Sequence, residues 1–117
     1  MAIVQNDRAA SRFKIYVDGS VAGYIRYEMH GRDIWFLNTE LNRGFQGRGL
    51  DRILIRAALA EVHRRRLAVL PFCPLLRTIM ATHNQYLQLI PQTQRARFKL
   101  HPQLRQPATP YPAINAA

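Results

Sequence analysis

The chain has one cysteine, Cys73, in 117 residues. An intrachain disulfide is therefore excluded, and so is a metal site built on paired cysteines. No apolar run approaches the roughly 20 residues that a membrane-crossing helix needs. The first residues, Met1 to Arg8, do not follow the charged-then-apolar layout of a secretory signal. A cytoplasmic protein without membrane contact is expected. Acids are scarce: seven against seventeen Lys and Arg, all of them between Asp7 and Glu61. Lysine is scarcer still, because fifteen of the seventeen cations are Arg. From Val62 onward there are eight cations and no acid, so this half holds +8 of the net +10. Such a surface attracts polyanions, whether nucleic acid or an anionic cofactor, but it equally describes an Arg-rich solvated exterior. Aromatic residues are sparse in the basic tail (Phe98, Tyr111), which argues against a base-stacking platform.

The length fits one domain with a single core, and there is no internal repeat or low-complexity block. Residues 1–11 read as a loose N-terminus. Arg12 to Val17 then alternates, with Phe13, Ile15 and Val17 on one side and Arg12, Lys14 and Tyr16 on the other. That period of two marks a half-buried strand. Asp18-Gly19-Ser20 and Gly31-Arg32-Asp33 are turn signals. They separate further strands over 21–30 and 34–41. The pattern then changes to helical spacing over 49–66, with Leu50, Ile53, Leu54, Ala57, Ala58 and Val62 on the apolar side. A short apolar run over 67–72 predicts a buried strand. Pro74 suits the first turn of a helix over 75–83. His83 is expected to close that helix, while residues 84–90 fit either a helix end or a short strand. Residues 91–117, with a basic stretch and four prolines after Pro91, read as an extended tail. The predicted fold class is α+β (mixed α/β): an antiparallel strand meander, a long helix, a strand and a helix.

The junction between the third strand and the long helix carries the strongest signal. Asn42 to Leu50 reads Asn-Arg-Gly-Phe-Gln-Gly-Arg-Gly-Leu, with three glycines and two arginines. Glycines let backbone N–H groups approach a ligand closely, and a helix start presents unpaired donors and partial positive charge. This describes a site for an anion, most often a phosphate. It is not a P-loop, since no Gly-Lys-Ser/Thr follows, and the Gly-x-x-Gly-x-Gly spacing is not the dinucleotide fingerprint. It suits a pyrophosphate held by the amides of Gly47 through Asp51. The competing reading is a glycine-rich turn that only joins strand to helix.

Gln46-Gly47-Arg48-Gly49-Leu50 is similar to the Gln/Arg-x-x-Gly-x-Gly/Ala motif of the GCN5-related N-acetyltransferases. More narrowly, the chain resembles a subgroup of about a hundred residues whose later strand ends in a Cys-Pro or Cys-Ser step. Residues 67–74, ending in Cys73-Pro74, fit that second motif. His83-Asn84-Gln85-Tyr86 fits the subgroup's His-Pro-x-Tyr at His83 and Tyr86 only. The resemblance spans roughly residues 13–90. It implies a domain over 12–90 that binds acetyl-coenzyme A (acetyl-CoA), with Leu41, Gln46, Gly47, Arg48, Gly49, Leu50 and Asp51 as cofactor-binding residues. It implies transfer of acetyl to an amine, either on a small molecule or on a protein, either directly or through Cys73 as nucleophile. Tyr86 corresponds to a tyrosine that protonates the departing thiolate in many members.

Two departures stand out. Where the subgroup has His-Thr-x-Val, this chain has Asn38-Thr39-Glu40-Leu41. An amide cannot accept a proton at neutral pH, so Glu40 becomes the candidate base. The third small residue of the loop motif is Asp51, whose carboxylate favours an empty helix start but repels a pyrophosphate. Arg48 or Arg52 could offset it. Beside the acetyltransferase reading stand a catalytically impaired binding module of the same fold, motivated by Asn38 and Asp51, and a nucleic-acid-associated basic protein.

Overall fold

Strands with one apolar face need a partner layer, and here the long amphipathic helix supplies it. The computed structural model describes residues 1–99. Its order is β1 (Ala2–Asp7), β2 (Arg12–Val17), β3 (Ser20–His30), β4 (Asp33–Leu41), α1 (Leu50–Arg64), β5 (Ala68–Pro71), α2 (Pro74–Ala81) and α3 (Asn84–Leu87), with short 3-10 turns at Arg43–Phe45 and Gln92–Gln94. The five strands form one sheet in sequence order. The α+β architecture expected from the sequence is present.

β1 to β4 pair antiparallel, and β4 pairs parallel with β5 from Asp33↔Ala68 to Phe36↔Pro71. The β2–β3 hairpin turns through Asp18 and Gly19, at φ 51° and 87°. Two successive positive φ values are what a two-residue hairpin matched to strand twist requires. In β2 the predicted alternation holds: Phe13, Ile15 and Val17 are buried, and the residues between them are half-buried. α1 buries Leu50, Leu54, Ile55, Ala58, Leu59 and Val62. Ile53, expected on the apolar side, is 43% exposed, so the buried stripe is turned toward Ile55 and Leu59.

The expectation of a loose N-terminus is corrected. Ala2–Asp7 forms β1, in register from Ala2↔Val17 to Asp7↔Arg12. Its inward positions are Ala2, Val4 and Asn6, while Ile3 points outward and is 50% exposed. The largest apolar residue thus faces solvent and an amide faces the core, which hides the strand from a hydrophobic-periodicity reading. Asn6 is fixed because its Oδ1 accepts from the Tyr27 hydroxyl at 2.6 Å.

A bulge sets the geometry of the β4 end. Arg26 pairs with Asn38 and Tyr27 with Phe36, leaving Leu37 as the extra residue. Ile34 and Phe36 face the core before it; Thr39, opposite the buried Ile25, and Leu41 face the core after it. Without the bulge Asn38 and Glu40 would take those inward positions, because a one-residue shift exchanges the faces of a strand.

Residues 84–90, ambiguous in sequence, form α3 and a short return in which the Val69 N–H donates to the Leu89 carbonyl at 2.8 Å. This bond covers the outer edge of β5. His83 precedes α3 as its N-cap residue, so it stands between two helices and opens the second. The tail expected over 91–117 falls largely on residues 100–117, which lie outside the described residues. Its described part packs against the domain: Phe98 is buried and its ring meets Phe72 edge-on at 5.2 Å.

Candidate functional site

β4, α1 and β5 form a strand–helix–strand unit whose parallel pair ends at Phe36 and Pro71. Ligands of such units bind beyond the carboxyl ends of the strands. Both sequence motifs sit there, the glycine loop after β4 and Cys73 after β5.

The loop is anchored before it turns. The Asn42 N–H donates to the Ala22 carbonyl and its Nδ2 to the Val21 carbonyl, each at 2.7 Å. Gln46 Nε2 donates to the Leu41 carbonyl at 3.3 Å. Gly47 and Gly49 then take φ of 77° and 73°. A side chain at either position would strain the backbone, and alternation through the left-handed region is the conformation from which backbone nests able to hold an anion are built. Gly49 is the N-cap residue of α1 and brings no side-chain cap. Among the described residues, the amides of Gly47, Arg48, Gly49, Leu50 and Asp51 meet no acceptor. Among the described residues, a Cβ built on Gly44, Gly47 or Gly49 would meet nothing within 4 Å, so there is open space beside each of these glycines. Five free amides, open space and a helix start fit a pyrophosphate.

Asp51 lies in the first turn of α1, and its Oδ1 accepts from the Arg52 N–H at 2.8 Å. The carboxylate is thus turned onto its own helix, satisfying one donor of that turn. The Arg48 guanidinium sits over the Phe45 ring, 5.5 Å from its centroid, which holds a cation beside the loop.

Cys73 follows β5 and is the N-cap residue of α2, with Pro74 in the first helical turn. Its N–H donates to the Phe36 carbonyl at 3.0 Å, extending the contact of the two parallel strands past the last paired residues. Arg77, one turn into α2, donates from Nη1 to the carbonyls of Pro71 and Phe72 at 3.3 and 3.4 Å. The thiol is 2% exposed, and its Sγ lies 3.2 Å from Thr39 Oγ1.

The bulge separates the remaining β4 candidates from the thiol. Thr39 faces inward to Cys73, and Glu40 faces the opposite side of the sheet, where the Tyr24 hydroxyl donates to its Oε1 at 3.1 Å. Arg12 stacks on Tyr24 at 4.2 Å from the ring centroid. On the same side Arg26 Nε donates to Asn38 Oδ1 at 3.0 Å. Tyr86 stands elsewhere, on α3, with its ring 5.2 Å from that of His83 and beside Arg56 and His63 of α1. Among the described residues it makes no hydrogen bond to Cys73 or to the loop. Arg26 and Arg77 carry no signal in the sequence, and Asn42, although it opens the glycine stretch, shows its anchoring role only through its bonds to Val21 and Ala22. Thr39 lies inside the stretch singled out in sequence, but its face was set by the bulge at Leu37.

No group of three or more His, Cys, Asp or Glu among the described residues is placed to hold a metal ion. No helix among them is long and apolar enough to cross a membrane. No curated protein matches the chain. A family profile described as GCN5-related N-acetyl-transferase matches residues 12–89. The match begins with β2, takes in the glycine loop and Cys73, and ends where Leu89 closes the edge of β5. With two thirds of its length matched, and its glycine loop and Cys-Pro step both inside the match, the chain belongs to the GCN5-related N-acetyl-transferase family.

Proposed function

We propose that the protein is an N-acetyltransferase that binds acetyl-CoA and acetylates an amine. The observation that carries this reading is the set of five acceptor-free amides, Gly47 to Asp51, at the end of the strand that runs parallel to the Cys73 strand. Those amides would hold the pyrophosphate, with Arg48 beside them and Gln46 and Leu41 shaping the loop. Acetyl-CoA would supply an acyl thioester, an acetyl group already activated for attack by an amine.

The residues of this chain then have separate tasks. Thr39 and Cys73 form the inward wall where β4 and β5 part. Glu40, exposed on the outer side of β4 and braced by Tyr24, takes the proton that an amine must lose. In direct transfer the thioester would bring its own leaving group, the coenzyme A thiolate, and this chain would position it and take up the amine's proton at Glu40. A route through Cys73 needs its thiol to open toward the thioester. Burial to 2% exposure favours the direct route. No proton step is assigned to Tyr86.

Calorimetry with coenzyme A, together with chromatography of a panel of primary amines after incubation with acetyl-CoA, tests this reading. Saturable binding with acetylated product is expected, and no binding at millimolar ligand would overturn it. A second reading, a binding module without turnover, draws on Asn38, whose carbonyl oxygen is tied to Arg26. Coenzyme A binding with no product from any amine is its signature.

A further inference from the structure

Away from the cradle, a groove of about 250 Å³ runs between α1 and α3. Arg56, Leu59, Ala60 and His63 supply one wall, and Gln85, Tyr86 and Leu89 the other. Arg56, Ala60 and His63 stand at i, i+4 and i+7, so they share one face of the helix. Leu59 is buried and forms the apolar floor, with half-buried Leu89 and the Tyr86 ring beside it. Four polar groups crown that floor: a guanidinium, an imidazole, a phenol and a carboxamide. Among the described residues, none of these four side chains has a hydrogen-bond or ion-pair partner, and no acid lines the groove. The nearby acid on α1, Glu61, is engaged by Arg64 and Arg65.

We propose that this groove is a second ligand site, separate from the cradle, for a small organic anion with an apolar body, a single-ring carboxylate being the fitting class. The charge follows from Arg56, an unpaired guanidinium suited to bidentate recognition of a carboxylate. The apolar body follows from Leu59, Leu89 and the face of Tyr86. The size follows from the volume, which lies below the roughly 300–1,000 Å³ of pockets for drug-sized ligands. A guanidinium with no acid lining the groove beside it, over an apolar floor, is complementary to a group that brings an anion at one end and a ring at the other.

The test uses the whole chain and 3-phenylpropionate as probe, with 3-phenylpropanamide as its uncharged counterpart. Binding is followed by calorimetry and by proton NMR of His63, with and without saturating coenzyme A. Saturable binding of the carboxylate is expected, with the amide weaker by about tenfold or more, the range for loss of a charge-assisted hydrogen bond. Arg56→Gln should weaken the carboxylate to the level of the amide. Ala60→Phe, at an exposed position, should block the groove without entering the core. Circular dichroism checks that both variants fold. Equal affinity for acid and amide, unchanged binding in Arg56→Gln, or displacement of the probe by coenzyme A would overturn the proposal. The acetyltransferase reading fails separately, through loss of coenzyme A binding with the groove still occupied by the probe.

Discussion

Thr39 Oγ1 lies 3.2 Å from Cys73 Sγ, across the point where β4 and β5 stop pairing. The thiol is therefore partnered as well as buried, which is how a structural cysteine is held. Cys73→Ala should cost about 1 kcal/mol of stability and leave coenzyme A affinity and acetyl transfer largely intact. Intact-protein mass spectrometry after incubation with acetyl-CoA should show no acetyl adduct on the wild-type chain. An adduct that disappears in Cys73→Ala, together with lost turnover, would establish the covalent route instead.

Gly47 and Gly49 hold positive φ, whereas Gly44 lies in a 3-10 turn and does not. Gly47→Ala and Gly49→Ala should each cost about 1–2 kcal/mol, the penalty of a left-handed backbone with a Cβ. They should also weaken coenzyme A binding, because relieving that strain turns the amides out of the nest. Gly44→Ala is the matched control and should change neither thermal unfolding nor calorimetric affinity appreciably.

Asp51 shares the first turn of α1 with the free amides, but its carboxylate bonds the Arg52 N–H. Asp51→Asn keeps an acceptor for that N–H and removes the charge. Coenzyme A should then bind more tightly by about 1 kcal/mol, roughly fivefold. The gain should shrink as salt rises, since screening acts on exposed charges. Affinity measured for both chains at low and high salt checks the sign and the salt slope together.

What was legible in the sequence had a simple period or an unusual composition. Phe13, Ile15 and Val17 announced β2, the apolar spacing announced α1, and three glycines in nine residues announced the loop that leads into α1, where Gly47 and Gly49 take positive φ. What was hidden depended on contacts between distant segments. β1 escaped because Asn6 takes an inward place through Tyr27 while Ile3 faces out. The pairing of Thr39 with Cys73 escaped because one unpaired residue, Leu37, exchanges the faces of β4. The groove joins Arg56 and His63 to Tyr86 through the docking of α3, and no local pattern encodes that docking.

The edge hairpin carries its own pH dependence. Asp7 and Lys14 form an ion pair at 2.8 Å between β1 and β2. The Lys14 ammonium, with help from the Ala10 amide, holds the Asp7 carboxyl below its ordinary value of 3.8. In return the Asp7 carboxylate raises Lys14 above its ordinary 10.5. For the lowered acid, the stabilising contribution is present above the unfolded value and disappears as pH falls through the folded one. For the raised base it is complete below the unfolded value and disappears as pH rises through the folded one. Wild type and Lys14→Gln should therefore differ by a constant, salt-sensitive amount across neutral pH. The difference should close at both ends, below about 3.8 and above about 10.5. Because the pair clasps the turn of the β1–β2 hairpin, amide exchange in β1 should quicken first. Urea unfolding at a series of pH values, with exchange at Asn6 as the local probe, separates loosening of this edge from loss of the whole fold.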